Sequence, residues 1–154
     1  MHYRPIHPHE AEAVCHLVAK VFCEFVAPTY EPEGVVEFLR YLTPDELWKR
    51  LHHDHFVLVA EEHGQLVGVI ELYDHNHISL LFVDKAYQGQ GVARTLVEMA
   101  VCDCRRHRPE LEEVSVHATP NAVPVYTRLG FHPVAPEQCQ NGMRFVPMVR
   151  KLDT

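Results

Sequence analysis

Between an apolar run, Ile78 to Val83, and an amphipathic stretch beginning at Val92 stands Gln88-Gly-Gln-Gly-Val-Ala-Arg94. Gly89 and Gly91 can take positive φ and let the backbone approach a ligand with no Cβ in the way. A glycine turn between a strand and a helix aims several N–H groups at one point, at the positive end of the helix dipole. The chemistry that suits it is the binding of a phosphate or pyrophosphate.

Three kinds of phosphate loop have this general form. One needs Lys and then Ser or Thr after the last glycine; here Val92-Ala93-Arg94 follows Gly91. The dinucleotide form needs a third glycine three residues on, where this chain has Arg94. The third, Gln/Arg-x-x-Gly-x-Gly/Ala, is matched at every fixed position by Gln88-Gly-Gln-Gly-Val-Ala93. It resembles the acetyl-coenzyme A loop of the GCN5-related N-acetyltransferases. Downstream, Asn121-Ala-Val-Pro-Val-Tyr-Thr-Arg-Leu-Gly-Phe131 is similar to the family's second motif, and it follows a strand-like Glu113 to Ala118. Upstream, Phe56 to Leu72 looks like the family's central hairpin. The resemblance covers residues 55 to 150, with the cofactor-binding core at 55–131.

The resemblance implies an α/β single-domain acyltransferase fold over 1–154, with a mixed central sheet flanked by helices. It implies acetyl-coenzyme A as co-substrate, a primary amine as acceptor, and direct attack in a ternary complex. Cofactor contacts then fall to Phe82 and Val83 at the strand end and to Gln88, Gly89, Gln90, Gly91, Val92, Ala93 and Arg94 in the turn. A backbone N–H near Val83 would face the thioester carbonyl. Asn121, read as a helix cap, would touch the cofactor arm. Tyr126 would be the general acid: its reference pKa, about 10 against about 8.5 for a thiol, keeps it protonated beside a departing thiolate. The base stays open between Glu71, His117 and a water chain. Glu71 alternates with Ile70 and Leu72, a pattern that otherwise turns it to solvent. Glu24, Tyr30, Glu31, Glu33, Glu37, Tyr41 and His132 fall where the fold builds its acceptor site. A small-molecule amine, a peptide N-terminus and a lysine side chain are all open. So are two other functions, an acyl-coenzyme A sensor without turnover and a nucleotide-binding phosphotransfer enzyme.

The elements that must position these residues follow from periodicity. His9 to Val26 carries an apolar helical stripe, and 35–53 is helical with a break at Thr43-Pro44, where Thr43 caps the second piece. Strands are expected at 2–6, as a first edge strand, and at 56–61, 66–73, 78–83, 113–118, 132–135 and 143–151, and helices at 91–107 and 121–129. Pro147 cannot donate to a ladder, so the last strand reads as an apolar edge and suggests a homodimer.

A hydrophobic content of 47% argues against disorder. No run approaches membrane-spanning length, and Met1-His-Tyr-Arg-Pro-Ile lacks the apolar core of a signal peptide, so a cytoplasmic location is expected. The net charge of −7 argues against nucleic acid as a partner. The five cysteines show no pairing pattern and read as reduced thiols. His52-His53-Asp54-His55, like the scattered His7, His9, His75 and His77, reads as solvated rather than metal-binding, and no metal is expected.

Overall fold

The computed structural model describes residues 1–153. Its strands are β1 (His2–Pro5), β2 (His55–Glu62), β3 (Gln65–Tyr73), β4 (His77–Val83), β5 (Glu113–Ala118), β6 (His132–Pro133), β7 (Gln138–Gln140) and β8 (Met143–Lys151). They form a sheet in the order β1-β2-β3-β4-β5-β8-β6, with β7 also paired to β8. All pairs are antiparallel except β4 with β5, which is parallel.

Helices cover both faces. α1 (Ala11–Val21), α2 (Pro32–Tyr41) and α3 (Pro44–Leu51) lie on one, while α4 (Val92–His107) and α5 (Val123–Arg128) lie on the other. β2 divides its side chains between them: Val57 and Val59 pack with Val14, Val18 and Leu47, whereas Leu58 and Ala60 pack with Leu96, Val97 and Ala100. A strand covered on both sides has no polar face, which is why the central strands read as continuous apolar runs. Truncating a fully buried leucine here, such as Leu96, costs about 2–5 kcal/mol.

Local signals place most helix ends. The Thr43 hydroxyl accepts from the Glu46 N–H at 3.2 Å, with Pro44 at the first helical position. Helix α2 starts earlier than the expected residue 35: Pro32 begins it, at a position where its missing N–H is no loss. The first helix departs from the expected single run: after Val21 the chain passes into a π turn, Phe22–Val26.

β8 is not an edge. It pairs with β5 on one side and with β6 and β7 on the other, and the Val134 N–H donates to the Pro147 carbonyl. The proline sits inside the sheet, opposite His117 of β5. The exposed apolar edge that suggested a dimer is therefore not there. Among the described residues no helix is long and apolar enough to cross a membrane.

Candidate active site

β4 and β5 are paired only at His77 with Ser115 and Ile78 with Val116. Beyond that point the two strands part. A bulge helps to turn β4 away: Leu72 lies opposite Ile78 and Glu71 opposite Leu80, so Ser79 has no partner on β3. The parting opens a cleft of 840 Å³. Its floor is the unpaired edge of β4 from Leu80 to Val83, whose other edge is bonded to β3. Backbone groups on such an edge are free to pair with an extended ligand.

The glycine turn closes one end. A short helical turn at Lys85–Tyr87 leads from β4 into Gln88, whose side-chain amide donates to the Val83 carbonyl at 3.0 Å. Gly91, at φ +83°, is the residue before α4, and its carbonyl accepts the first helical bond, from the Thr95 N–H. The N–H groups of Val92, Ala93 and Arg94 are thus left without partners inside the helix. A Cβ built on Gly89 or Gly91 would meet only open space, so the conformation, not crowding, asks for glycine. Gln88, Gly89, Gly91, Val92, Ala93 and Arg94 all line the cleft, as do Phe82 and Val83. Gln90 does not; its amide turns back to the Ala86 carbonyl at 3.1 Å.

Tyr126 and Asn121 line the same cleft from the α5 side. Tyr126 is buried and packs edge to face on Phe131, 5.4 Å between centroids. Burial pushes its phenol above the ordinary value, and among the described residues no protein group hydrogen-bonds its hydroxyl. Asn121 is not a helix cap. It lies within the short turn Pro120–Ala122, Ala122 precedes α5, and neither helix start has a side-chain cap. Its side chain is exposed at the cleft instead.

The two candidate bases separate. His117 lines the cleft, stacked on Phe145 at 4.4 Å, and partial burial lowers its pKa. Glu71 does not line the cleft. It is fully buried beneath α2 and α3, where Arg50 grips it with Nε at 2.7 Å and Nη2 at 3.1 Å, and His55 Nδ1 lies 2.6 Å away. Burial alone raises a carboxyl pKa, but His55 and Arg50 outweigh it and the net shift is downward. The expectation of a free, solvent-facing carboxylate at Glu71 does not hold: the side chain points inward because Arg50 reaches it from α3. Arg50 also donates to the Tyr41 carbonyl and lies over the Tyr41 ring at 3.6 Å. This knot ties α2 and α3 to the sheet.

One residue at the site escaped the sequence reading. His77 lines the cleft where the strands part, with Nδ1 2.8 Å from Ser115 Oγ and its ring 5.0 Å from that of His117. Burial, and secondarily the nearby His117, lower its pKa to about 4. Its signal was register: two strands that run parallel set His77 and His117 near each other, which spacing along the chain cannot reveal.

Of the expected acceptor residues, Tyr30, Glu37 and Tyr41 line the cleft. Glu24, Glu31, Glu33 and His132 do not; Glu24 pairs with Lys85 at 3.2 Å and Glu31 with Arg144 at 2.6 Å. Outside the cleft, His75, Asp103 and His107 have ligating atoms within 4.8 Å of one another. The two rings stack face to face at 4.1 Å, so their in-plane lone pairs run side by side rather than converge, and Arg106 holds Asp103 at 2.8 Å.

A strand edge laid open beside a glycine turn and a helix N-terminus is the arrangement that the sequence resemblance implied. Residues 26–152 match the model of the acetyltransferase (GNAT) domain. The chain belongs to this family. It is 25% identical over 137 residues to the uncharacterized N-acetyltransferase YafP of Escherichia coli K12, covering 89% of this chain and 85% of that protein. Among solved structures it resembles the PaiA N-acetyltransferase of Thermoplasma acidophilum in complex with coenzyme A, with a TM-score of 0.78, 18% identity and coverage of 98% of each chain. It also resembles a GCN5-related N-acetyltransferase from Rhodopseudomonas palustris, with a TM-score of 0.77, 21% identity and coverage of 98% and 95%.

Proposed function

We propose that this GNAT chain transfers an acetyl group from acetyl-coenzyme A to a primary amine by direct attack in a ternary complex. The observation that carries the reading is the parting of β4 from β5 beside the Gly89–Gly91 turn. It supplies an open strand edge for an amide-bearing arm and a cluster of unpaired N–H groups for a pyrophosphate. In this reading Phe82 and Val83 pair with the arm, Asn121 touches it from the short turn before α5, and the turn from Gln88 to Arg94 holds the phosphates. Gln90 contributes backbone rather than side chain. Val83 lies on the strand edge that borders the cleft, and a backbone N–H there would stabilise the charge that develops on the thioester oxygen.

Tyr126 faces the departing sulfur. Its phenol is held protonated, but it is also a weaker acid than the thiol, so complete transfer of its proton runs uphill. Its role is to donate a hydrogen bond while charge builds on sulfur; the phenol keeps its proton, and the released thiolate takes one from the acceptor side or from water. His117 takes the amine's proton, directly or through water. A lowered pKa leaves its imidazole neutral at pH 7, the form a base needs. Glu71 is assigned to structure, since its carboxylate is engaged by Arg50.

The test has two parts. Acetyl-coenzyme A raises the melting temperature, and ATP and NAD at equal concentration do not. Thiol is then released from acetyl-coenzyme A when a suitable amine is added. Stabilisation by ATP alone removes the reading. Binding of acetyl-coenzyme A with no thiol release over a broad amine panel makes the chain an acyl-coenzyme A sensor instead.

A further inference from the structure

We infer that the acceptor is a monoamine on an apolar, aromatic body rather than a polyamine or an aminosugar. The inference rests on the acetyl-transfer reading and names the substrate class of that same cleft. The acceptor end is walled by Phe25 and Tyr30 from the π turn and the loop after it, Phe38 and Tyr41 from α2, and Phe145 from β8. Phe38 is the hub of this wall. Phe38 stacks on Phe22 at 4.1 Å and leans on Phe82 at 6.1 Å and Tyr41 at 6.5 Å, while Phe145 lies under His117. Burial raises the pKa of both tyrosines, Tyr41 to about 12, so neither carries charge at neutral pH.

Charge is as informative as shape. Glu37 is the one carboxylate among the described residues that line the cleft, while Arg94 and Arg128 line its other end. The neighbouring Glu24 and Glu31 are outside it and already paired with Lys85 and Arg144. A polycation entering here would leave further ammonium groups desolvated with no second carboxylate among the described lining residues to pair with. A single ammonium meets a single carboxylate and a set of aromatic faces, which attract both a cation and an apolar body. Glu37 is half-exposed, and its one partner among the described residues is Arg40 at 3.2 Å on the open helix surface, a weak pair that an incoming ammonium displaces. The docking of α2 fixes this wall: a Cβ on Gly34 would collide with the Gly142 carbonyl, so the helix lies directly against the turn before β8.

Calorimetry with 2-phenylethylamine, spermidine and kanamycin, each titrated into the protein with and without coenzyme A, tests the inference. Phenylethylamine is expected to bind at least about 10-fold tighter than the other two, as desolvated ring contacts allow. Phe25→Leu should erase most of that preference. Glu37→Gln, on a half-exposed helix position, should weaken phenylethylamine about 3- to 10-fold without lowering the melting temperature. Tighter binding of spermidine or kanamycin, or no binding of the aromatic amine, overturns the substrate class. Thiol release is read separately. Release with spermidine in preference to phenylethylamine keeps acetyl transfer and overturns the class. Selective binding of phenylethylamine without release keeps the class and removes acetyl transfer.

Discussion

His77 and His117 stand edge to face, ring centroids 5.0 Å apart, on the two strands whose parting opens the cleft. Two imidazoles this close titrate as a pair, because a charge on one disfavours a charge on the other. Both are held toward the neutral form.

The pair makes folding sensitive to acid. An unfolded histidine takes a proton near pH 6.5, whereas His77 in the fold does so at about 4. Between these values the unfolded chain holds more protons, so stability rises with pH and falls on acidification. The melting temperature of the wild type should therefore drop between pH 6.5 and 4 more steeply than that of His77→Gln. Parallel curves would mean that His77 does not stay neutral in the fold.

The rate of the bound complex reports on His117. With its pKa lowered, the acid limb of kcat lies below pH 6.5. His117→Gln should lower kcat by about 100-fold, the scale for a lost general base, and should abolish that limb. A mutant that keeps both rate and limb assigns the proton to water.

Tyr126→Phe keeps the ring that packs on Phe131 and removes only the hydroxyl. Stability and acetyl-coenzyme A affinity should change little, while kcat falls by about 10²-fold. A cofactor analogue with a more acidic thiol should narrow the gap, since its thiolate needs less help. Near-full kcat in the mutant makes Tyr126 a packing residue.

Glu71→Gln separates structure from chemistry. It leaves Arg50 buried without its counter-charge, a loss of about 3–5 kcal/mol in unfolding free energy. Denaturant unfolding should register this in full. Where the mutant remains folded, kcat should hold to within a few-fold; a loss comparable to that of His117→Gln would restore Glu71 to the proton path.

Gly91→Val tests the turn. Space is open around a Cβ there, so the cost comes from φ +83°, a region closed to β-branched residues. The expected result is weakened acetyl-coenzyme A binding by calorimetry, with α4 still helical by circular dichroism. Unchanged affinity would mean that the turn does not hold the phosphates.

The local signals in the chain determined a good deal. Gln88 to Ala93, Asn121 to Phe131 and the apolar hairpin pointed to the family and to a mixed α/β sheet. The strands at 113–118 and 143–151 came out residue for residue, because glycines, prolines and period-two runs act over a few neighbours. Thr43 capped the helix it was expected to cap, for the same reason.

What the sequence left to tertiary structure was every relation between distant residues. Glu71 is buried because Arg50, twenty-one positions earlier, folds over it from α3. β8 is interior because β6 and β7 return along its far edge, so Pro147 was no mark of an exposed strand. His77 became part of the site only through the parallel register with β5, and the carboxylates at the acceptor end were reduced to Glu37 because the fold leaves Glu24, Glu31 and Glu33 outside the cleft, the first two paired with Lys85 and Arg144. Period and propensity report which face a residue occupies. Which partner waits on that face is set by strand register and helix docking, and those contacts span tens of residues along the chain.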